Sequence, residues 1–313
     1  MQLEHKHILI TGSGGLVGYS YKNIQQLYPQ YKYTFMTRAD CDLLKFSNTV
    51  QYLKLCNPDI VIHLAANVGG LFKNMNQKVQ MFEDNIKMNM NILSACYSAN
   101  VKQFIGILST CIFPDKTTYP ISEDMLQLGP PHTSNDAYAY AKRMLEVQCK
   151  AYNEQYNTNY SCIIPTNIYG DNDNYHLEDA HVIPALIHKC YLAKQKQKPF
   201  IVAGSGKPLR QFIHADDLAN ITLSLLDKIK QESVIISPDT EISIKEVATH
   251  IARAFEYEHM MEFDASLPDG QYKKTADNTK LKSLLTEYEF IDIKEGIDRT
   301  VKYFIENYNK IRK

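Results

Sequence analysis

The sequence predicts an α/β fold, a doubly wound parallel sheet joined to a second, smaller α/β domain, and three observations predict it. A short apolar run, His7 to Thr11, enters the loop Gly12-Ser13-Gly14-Gly15-Leu16-Val17-Gly18, which opens an amphipathic helical pattern. Apolar runs then alternate with helical patterns through about residue 170, as parallel strands joined by crossover helices do. Beyond that point strands and helices mix, which predicts a nucleotide-binding unit over residues 1–170 and a substrate unit over 171–313. A segment near 208–228 is expected to return to the first unit, with the site in the cleft between the two.

Bulk properties fit this reading and exclude others. The 313 residues carry 34 Lys+Arg against 35 Asp+Glu, so the basic excess of a nucleic-acid binder is absent. No apolar run approaches the ~18 residues of a membrane span, and no signal-like core precedes the first strand. The seven cysteines are scattered without a C-x-x-C pair, which predicts a reduced, cytoplasmic protein, and no metal is expected.

The elements follow in order. The spacing T-G-x-x-G-x-x-G after a strand lets the backbone approach a pyrophosphate at a helix N-terminus, the dinucleotide-binding (Rossmann) arrangement. The next strand, YKYTFMTR, ends on Arg38 where NAD-preferring folds place an acid, so a 2′-phosphate and hence NADPH/NADP is expected. Asp42 is expected to cap the helix LLKFSNTVQYLKLC or to approach the adenine. DIVIHLAA reads as a buried strand whose small end, Ala65 and Ala66, admits a cofactor, with His63 a core histidine. The helix FEDNIKMNMNILSACYSANV follows, and FIGILS is the next strand. SCIIPTNIYG is a further buried strand, His181 opens a helix, and SVIISPDTEISIKEVATHIARAF is a strand and a helix with a Ser243–Glu246 capping box. A last amphipathic helix spans IDIKEGIDRTVKYFIENYNKIRK.

The chemistry concentrates between Leu108 and Lys142. Ser109 and Cys111 face one side if the backbone stays extended. Tyr138 and Lys142, four apart in a helical pattern, share one face. The ammonium is expected to lower the phenol's pKa and so make Tyr138 a usable proton donor or acceptor.

Glycine loop, strand-end Ser and Tyr-x-x-x-Lys together resemble the extended short-chain dehydrogenase/reductases. The longer runs HLAANVGGLF, LSTCIFPDKTTYPI, GPPH, YAYAKRM, IIPTNIYG, DNYHLEDAHVIPALIHK and DGQYKKTA narrow the resemblance to members acting on a GDP-linked 4-keto-6-deoxy sugar. It extends from residue 7 to the last helical pattern. It implies epimerisation at C3 and C5 by Cys111 as base and His181 as acid, then NADPH-dependent reduction at C4 by Ser109, Tyr138 and Lys142. It implies further cofactor contacts at Asp42, Leu43, Leu64, Ala65, Ala66 and Leu108, and at Pro165, Thr166, Asn167, Ile168 and His181. Lys189 and Arg210 are implied at the diphosphate, and Ala203 and Asp269 at the substrate. The chain departs from the family at Ala203, commonly a Trp, which puts nucleotide affinity in doubt. The expected partners are a small-molecule GDP-sugar and a second copy in a homodimer, with no nucleic acid and no membrane.

Two other readings stay open here. One is a nucleotide-sugar epimerase or dehydratase that retains its cofactor, against which Cys111, His181 and Arg38 weigh. The other is a non-catalytic nucleotide-binding regulatory subunit, against which Ser109, Tyr138 and Lys142 weigh.

Overall fold

The computed structural model describes residues 5–267, 269 and 273–313. Gly270, Gln271 and Tyr272 of the DGQYKKTA run lie outside the described residues, as do the side chains of Leu71 and Phe72. In chain order the elements are β1 (Lys6–Thr11), α1 (Leu16–Ile24), β2 (Tyr31–Met36), α2 (Phe46–Cys56), β3 (Ile60–His63), α3 (Leu71–Asn76), α4 (Lys78–Ser98), β4 (Gln103–Ile107), α5 (Asp136–Tyr156), β5 (Tyr160–Pro165) and β6 (Asn167–Tyr169). They continue as α6 (Val182–Lys196), β7 (Phe200–Ala203), β8 (Leu209–Arg210), β9 (Phe212–His214), α7 (Ala215–Leu225), β10 (Ser233–Ile236), β11 (Ile242–Ser243), α8 (Ile244–Ala254), β12 (Met261–Asp264), α9 (Thr279–Leu284) and α10 (Ile293–Asn307).

Six strands form one parallel sheet in the order β10-β5-β4-β3-β1-β2. The order reverses between β1 and β3, so the loops after these two strands flank the crevice where such sheets bind ligands. Its strands are apolar on both faces because both are covered. Leu9, Val61 and Phe104 pack towards α2, α4 and α5, while Ile8, Ile10 and Ile62 pack towards α1 and α7. A third apolar cluster unites α6, α8, α10 and β7 through residues such as Leu186, Ile251, Phe304 and Phe200.

Four local expectations change. The sixth strand of the large sheet, Ser233–Ile236, comes from beyond the segment expected to return, pairing with β5 through Val234 and Ile235. SCIIPTNIYG is two strands, because Asn167–Tyr169 leaves β5 to pair with Phe212–His214. The helix expected from Leu43 starts at Phe46, and Asp42 does not cap it. A turn from Asp42 to Lys45 intervenes, with Lys45 N–H on Asp42 O at 3.0 Å, and the Asp42 carboxylate accepts from Leu44 N–H at 3.2 Å. Ser109 to Cys111 is not extended, since Thr110–Ile112 winds into a 3-10 turn with Ser109 as its cap. Ser243 and Glu246 do form the reciprocal capping box at the start of α8.

Candidate active site

The glycine loop is built by close approach. Gly12 has φ +67, and a Cβ there would lie 2.7 Å from the Ala65 backbone; one on Gly18 would lie 2.4 Å from Ser13 Cα. Only glycine lets β1, β3 and α1 converge this tightly. Above Gly14 a Cβ would meet nothing within 4 Å, so the loop has an open side. The cap residue Gly15 brings no side-chain hydrogen bond to the helix start, which leaves the first N–H groups of α1 and its positive dipole end facing that side. Ser13 Oγ is buried with no hydrogen-bond partner among the described residues. These features fit a dinucleotide diphosphate. At the end of β2, Arg38 is exposed. The Asp40 carboxylate close by accepts from Thr37 N–H at 2.8 Å and Thr37 Oγ1 at 2.6 Å, and these bonds lower its pKa and hold it anionic.

Behind the loop runs a buried polar chain. Ala65 N–H donates to Thr11 Oγ1 at 3.1 Å, Thr11 Oγ1 meets His63 Nδ1 at 2.8 Å, and His63 Nε2 meets Asn89 Oδ1 at 3.2 Å. Asn89 in turn donates to Ala141 O of α5 at 3.3 Å. Because Asn89 Oδ1 can only accept, His63 carries its proton on Nε2 and receives one from Thr11. Burial first, then the Lys142 charge, pushes the imidazole pKa down to about 3. His63 is a neutral structural link between the glycine-loop strand and α5.

Helix α5 delivers three functional side chains to one place. Tyr138 is buried, and Lys142 Nζ lies 6.0 Å from its ring centroid while donating to Ile107 O at 2.8 Å. Arg143, which sequence reasoning missed, donates to Ile112 O at 2.9 Å and to Gly129 O at 2.9 Å, pinning the turn that carries Cys111. Ser109 Oγ accepts from Cys111 N–H at 3.4 Å. Cys111 lies within electrostatic reach of Tyr138, Lys142, Arg143 and half-buried Lys274, at each of which burial is the larger influence. The expected lowering of the Tyr138 pKa is overturned: burial, then the Cys111 charge, pushes it up. Burial also brings Lys142 down to about 8. Burial dominates at the phenol, and the Lys142 ammonium is directed at the Ile107 carbonyl rather than at Tyr138.

A cavity of about 520 Å³ opens beside Cys111, lined also by Arg210, Lys274, His132, Ser134 and Asn135. Two long-range attachments bring the cations in. Ile121 N–H donates to Thr275 O at 2.9 Å and Asp277 N–H to Ile121 O at 2.8 Å, which carries the Lys274 strand segment to the cavity. Gln211, next to Arg210, accepts from Ala276 N–H at 2.8 Å and donates to Pro238 O at 2.8 Å. Burial lowers the Lys274 pKa, and Arg210 lowers it further. Two crowded cations at the mouth of a site suit an anion of more than one charge. Lys274 belongs to the DGQYKKTA run, and its neighbourhood to Arg210 is not visible in the spacing.

The remaining candidates lie around this centre. Leu64, Ala65 and Ala66 follow β3, and Leu108 follows β4. Leu43 is buried beside α2. Pro165 ends β5, Thr166 Oγ1 is buried without a partner among the described residues, and Asn167 donates to Gln211 O at 2.9 Å. Ile168 continues β6. His181 is the cap residue of α6 without a side-chain cap bond; it is reached by solvent, yet surrounding protein lowers its pKa. Lys189 is exposed on α6, and neither it nor His181 lines the cavity beside Cys111. Ala203 is exposed at the end of β7. The Asp269 carboxylate accepts from Ser205 N–H at 2.5 Å and Ser205 Oγ at 2.7 Å, which lowers its pKa.

The chain is similar to known proteins. The model of the NAD dependent epimerase/dehydratase family matches residues 8–236. A GDP-L-fucose synthase of Dictyostelium discoideum is 48% identical over 98% of this chain and 97% of its own length. A probable GDP-L-fucose synthase of Drosophila melanogaster is 42% identical over 98% of this chain and 100% of its own length. The crystal structure of a GDP-L-fucose synthetase from Naegleria fowleri bound to NADP superposes with a TM-score of 0.94 at 43% identity, covering 100% of this chain and 96% of that one.

Proposed function

The chain belongs to the NAD dependent epimerase/dehydratase family, and from that premise we propose how its own residues divide the work. The protein is an NADPH-dependent epimerase and reductase that converts GDP-4-keto-6-deoxy-D-mannose to GDP-L-fucose. The observation that supports the assignment of roles is that Cys111 lines a cavity with Arg210 and Lys274 while Tyr138 and Lys142 lie buried within its electrostatic reach.

The C4 ketone acidifies the hydrogens on C3 and C5, and inversion at either carbon needs a base on one face and an acid on the other. Cys111 takes the proton on one face and His181 returns one on the other, a thiol and an imidazole both being side chains that exchange protons in acid–base catalysis. NADPH, when bound, supplies the hydride for C4. Tyr138 protonates the C4 oxygen: its buried phenol keeps its proton until that oxygen gains charge. Ser109 hydrogen-bonds the same oxygen, and Lys142 supports Tyr138 and the nicotinamide ribose. Arg210 and Lys274 take the diphosphate with Lys189, and Ala203 and Asp269 border the substrate. The loop Gly12–Gly18 receives the cofactor diphosphate, Arg38 the 2′-phosphate, and Asp42 and Leu43 the adenine side. Leu64, Ala65, Ala66 and Leu108 floor the cofactor, with Pro165 to Ile168 and His181 on the nicotinamide side.

The unit over residues 1–170, with Ser233–Ile236 added to its sheet and α7 of the 208–228 segment packed on the sheet's face, is the cofactor half, and the third apolar cluster supports a separate substrate half. No described helix is long and apolar enough to cross a membrane. The scattered cysteine pattern, without a C-x-x-C pair, is what supports a reducing, cytoplasmic setting. A homodimer forms through the outer faces of α4 and α5, which expose Phe82, Met90 and Tyr97 beside Tyr140, Met144 and Val147.

The test mixes protein, NADPH and GDP-4-keto-6-deoxymannose in deuterated water and follows cofactor oxidation with deuterium at C3 and C5. Oxidation with label at both carbons is expected; folded protein that oxidises no NADPH would sink the reading.

A further inference from the structure

We propose that Gly70 is a positioning residue for His181, an inference that rests on the acid–base reading of His181 above. Gly70 lies in the loop that leaves β3, far from His181 in sequence, yet its N–H donates to Asp179 O at 2.7 Å. A Cβ on Gly70 would stand 2.8 Å from Ala180 O and 3.1 Å from Asp179 O. The glycine is not demanded by its own backbone, since φ −68 and ψ −173 suit any residue. It is demanded by the carbonyls of the two residues that precede His181.

Both sides of this contact are fixed. Asn74 Nδ2 donates to Gly69 O at 2.8 Å and Gly70 O at 3.0 Å, and Lys73 Nζ donates to Val68 O at 3.0 Å. The base of the loop is tied to α4, with Asn67 N–H on Asn85 Oδ1 and Asn85 Nδ2 on Asn67 O, each at 2.9 Å. Opposite, Asp179 N–H and Ala180 N–H both donate to His176 O, at 3.2 and 2.8 Å, and His181 O accepts from Ala185 N–H at 3.0 Å. A methyl group added at Gly70 therefore meets backbone that cannot retreat freely. The carbonyl of Ala180 must give by several tenths of an ångström, and the next residue, His181, moves with it. Proton transfer needs heavy atoms within roughly 2.6–3.2 Å, and a misplacement near 1 Å costs on the order of 100-fold.

The experiment compares wild type, Gly70→Ala, His181→Gln and the double variant. It measures deuterium exchange at C3 and C5 of GDP-4-keto-6-deoxymannose with NADP in place of NADPH, so that reduction cannot proceed. Gly70→Ala is expected to slow the exchange turnover on the order of tenfold, with substrate KM and NADP affinity unchanged and the protein still folded at the assay temperature, the clash lowering the melting temperature by a few degrees. In the His181→Gln background the same change should add nothing, because its route of action is gone. If His181→Gln slows exchange and Gly70→Ala does not, the positioning role is overturned while the His181 reading stands. If His181→Gln leaves exchange at the wild-type rate, the His181 reading fails first. If Gly70→Ala lowers NADP affinity in proportion to exchange, or slows exchange as much in the His181→Gln background as in wild type, its role is general support of the fold and the inference is wrong.

Discussion

The cofactor half and the substrate half of the site are assembled on different principles. The nucleotide loop is local: strand, glycines and helix are consecutive, and the geometry rests on β1, α1 and the end of β3 meeting at Gly12 and Gly18. The substrate cavity is non-local: Cys111, Arg210 and Lys274 come from segments far apart in sequence, tied together through Ile121 and Gln211. α5 stands between, carrying Tyr138 and Lys142 against the end of β4 and holding the Cys111 turn through Arg143. The difference teaches that the two halves should fail separately, cofactor binding with the loop and substrate handling with the cavity.

The largest separable effect is expected at Gly12. Gly12→Ala places a Cβ 2.7 Å from the Ala65 backbone at φ +67, which costs about 2 kcal/mol or more. A fall in melting temperature with loss of NADPH binding by fluorescence titration is expected, and an unchanged dissociation constant would break the comparison. Arg210→Ala should do the converse. Losing a charge-assisted contact of about 1.5–3 kcal/mol raises the substrate KM about 10- to 100-fold, with NADPH affinity unaltered in the same titration. The smallest effect is a pH dependence that belongs to the shared helix. Lys142 has its pKa lowered by burial to about 8, so the cation is present below that value and lost as pH rises through it. The reduction rate at saturating substrate should therefore decline through about pH 8, and Lys142→Arg, cationic throughout, should remove that limb.

What the sequence reveals follows the same division. The glycine loop, the α5 face and the Ser243–Glu246 box are legible because each is settled within a few residues. The turn at Thr110–Ile112 is not, since LST reads as the end of a strand and the guanidinium of Arg143 is what holds Ile112 O. Strand Ser233–Ile236 is an apolar run in a stretch of mixed pattern, and only pairing with β5 puts it in the large sheet. Lys274 is one of two adjacent lysines, and the register set by Ile121 selects the one beside Arg210. The direction of the Tyr138 shift also escapes the spacing, because i, i+4 places Lys142 near the ring but does not reveal that Ile107 O claims its ammonium.

The central claim is that one site inverts carbons with Cys111 and reduces with Tyr138. The direct measurement is a single deuterated-water reaction run with Cys111→Ala and with Tyr138→Phe, reading NADPH absorbance and label at C3 and C5 together. Tyr138→Phe should oxidise NADPH about 100-fold or more slowly and still exchange deuterium, whereas Cys111→Ala should suppress exchange while binding NADPH as wild type does. Exchange at both carbons at the wild-type rate in Cys111→Ala would contradict the account.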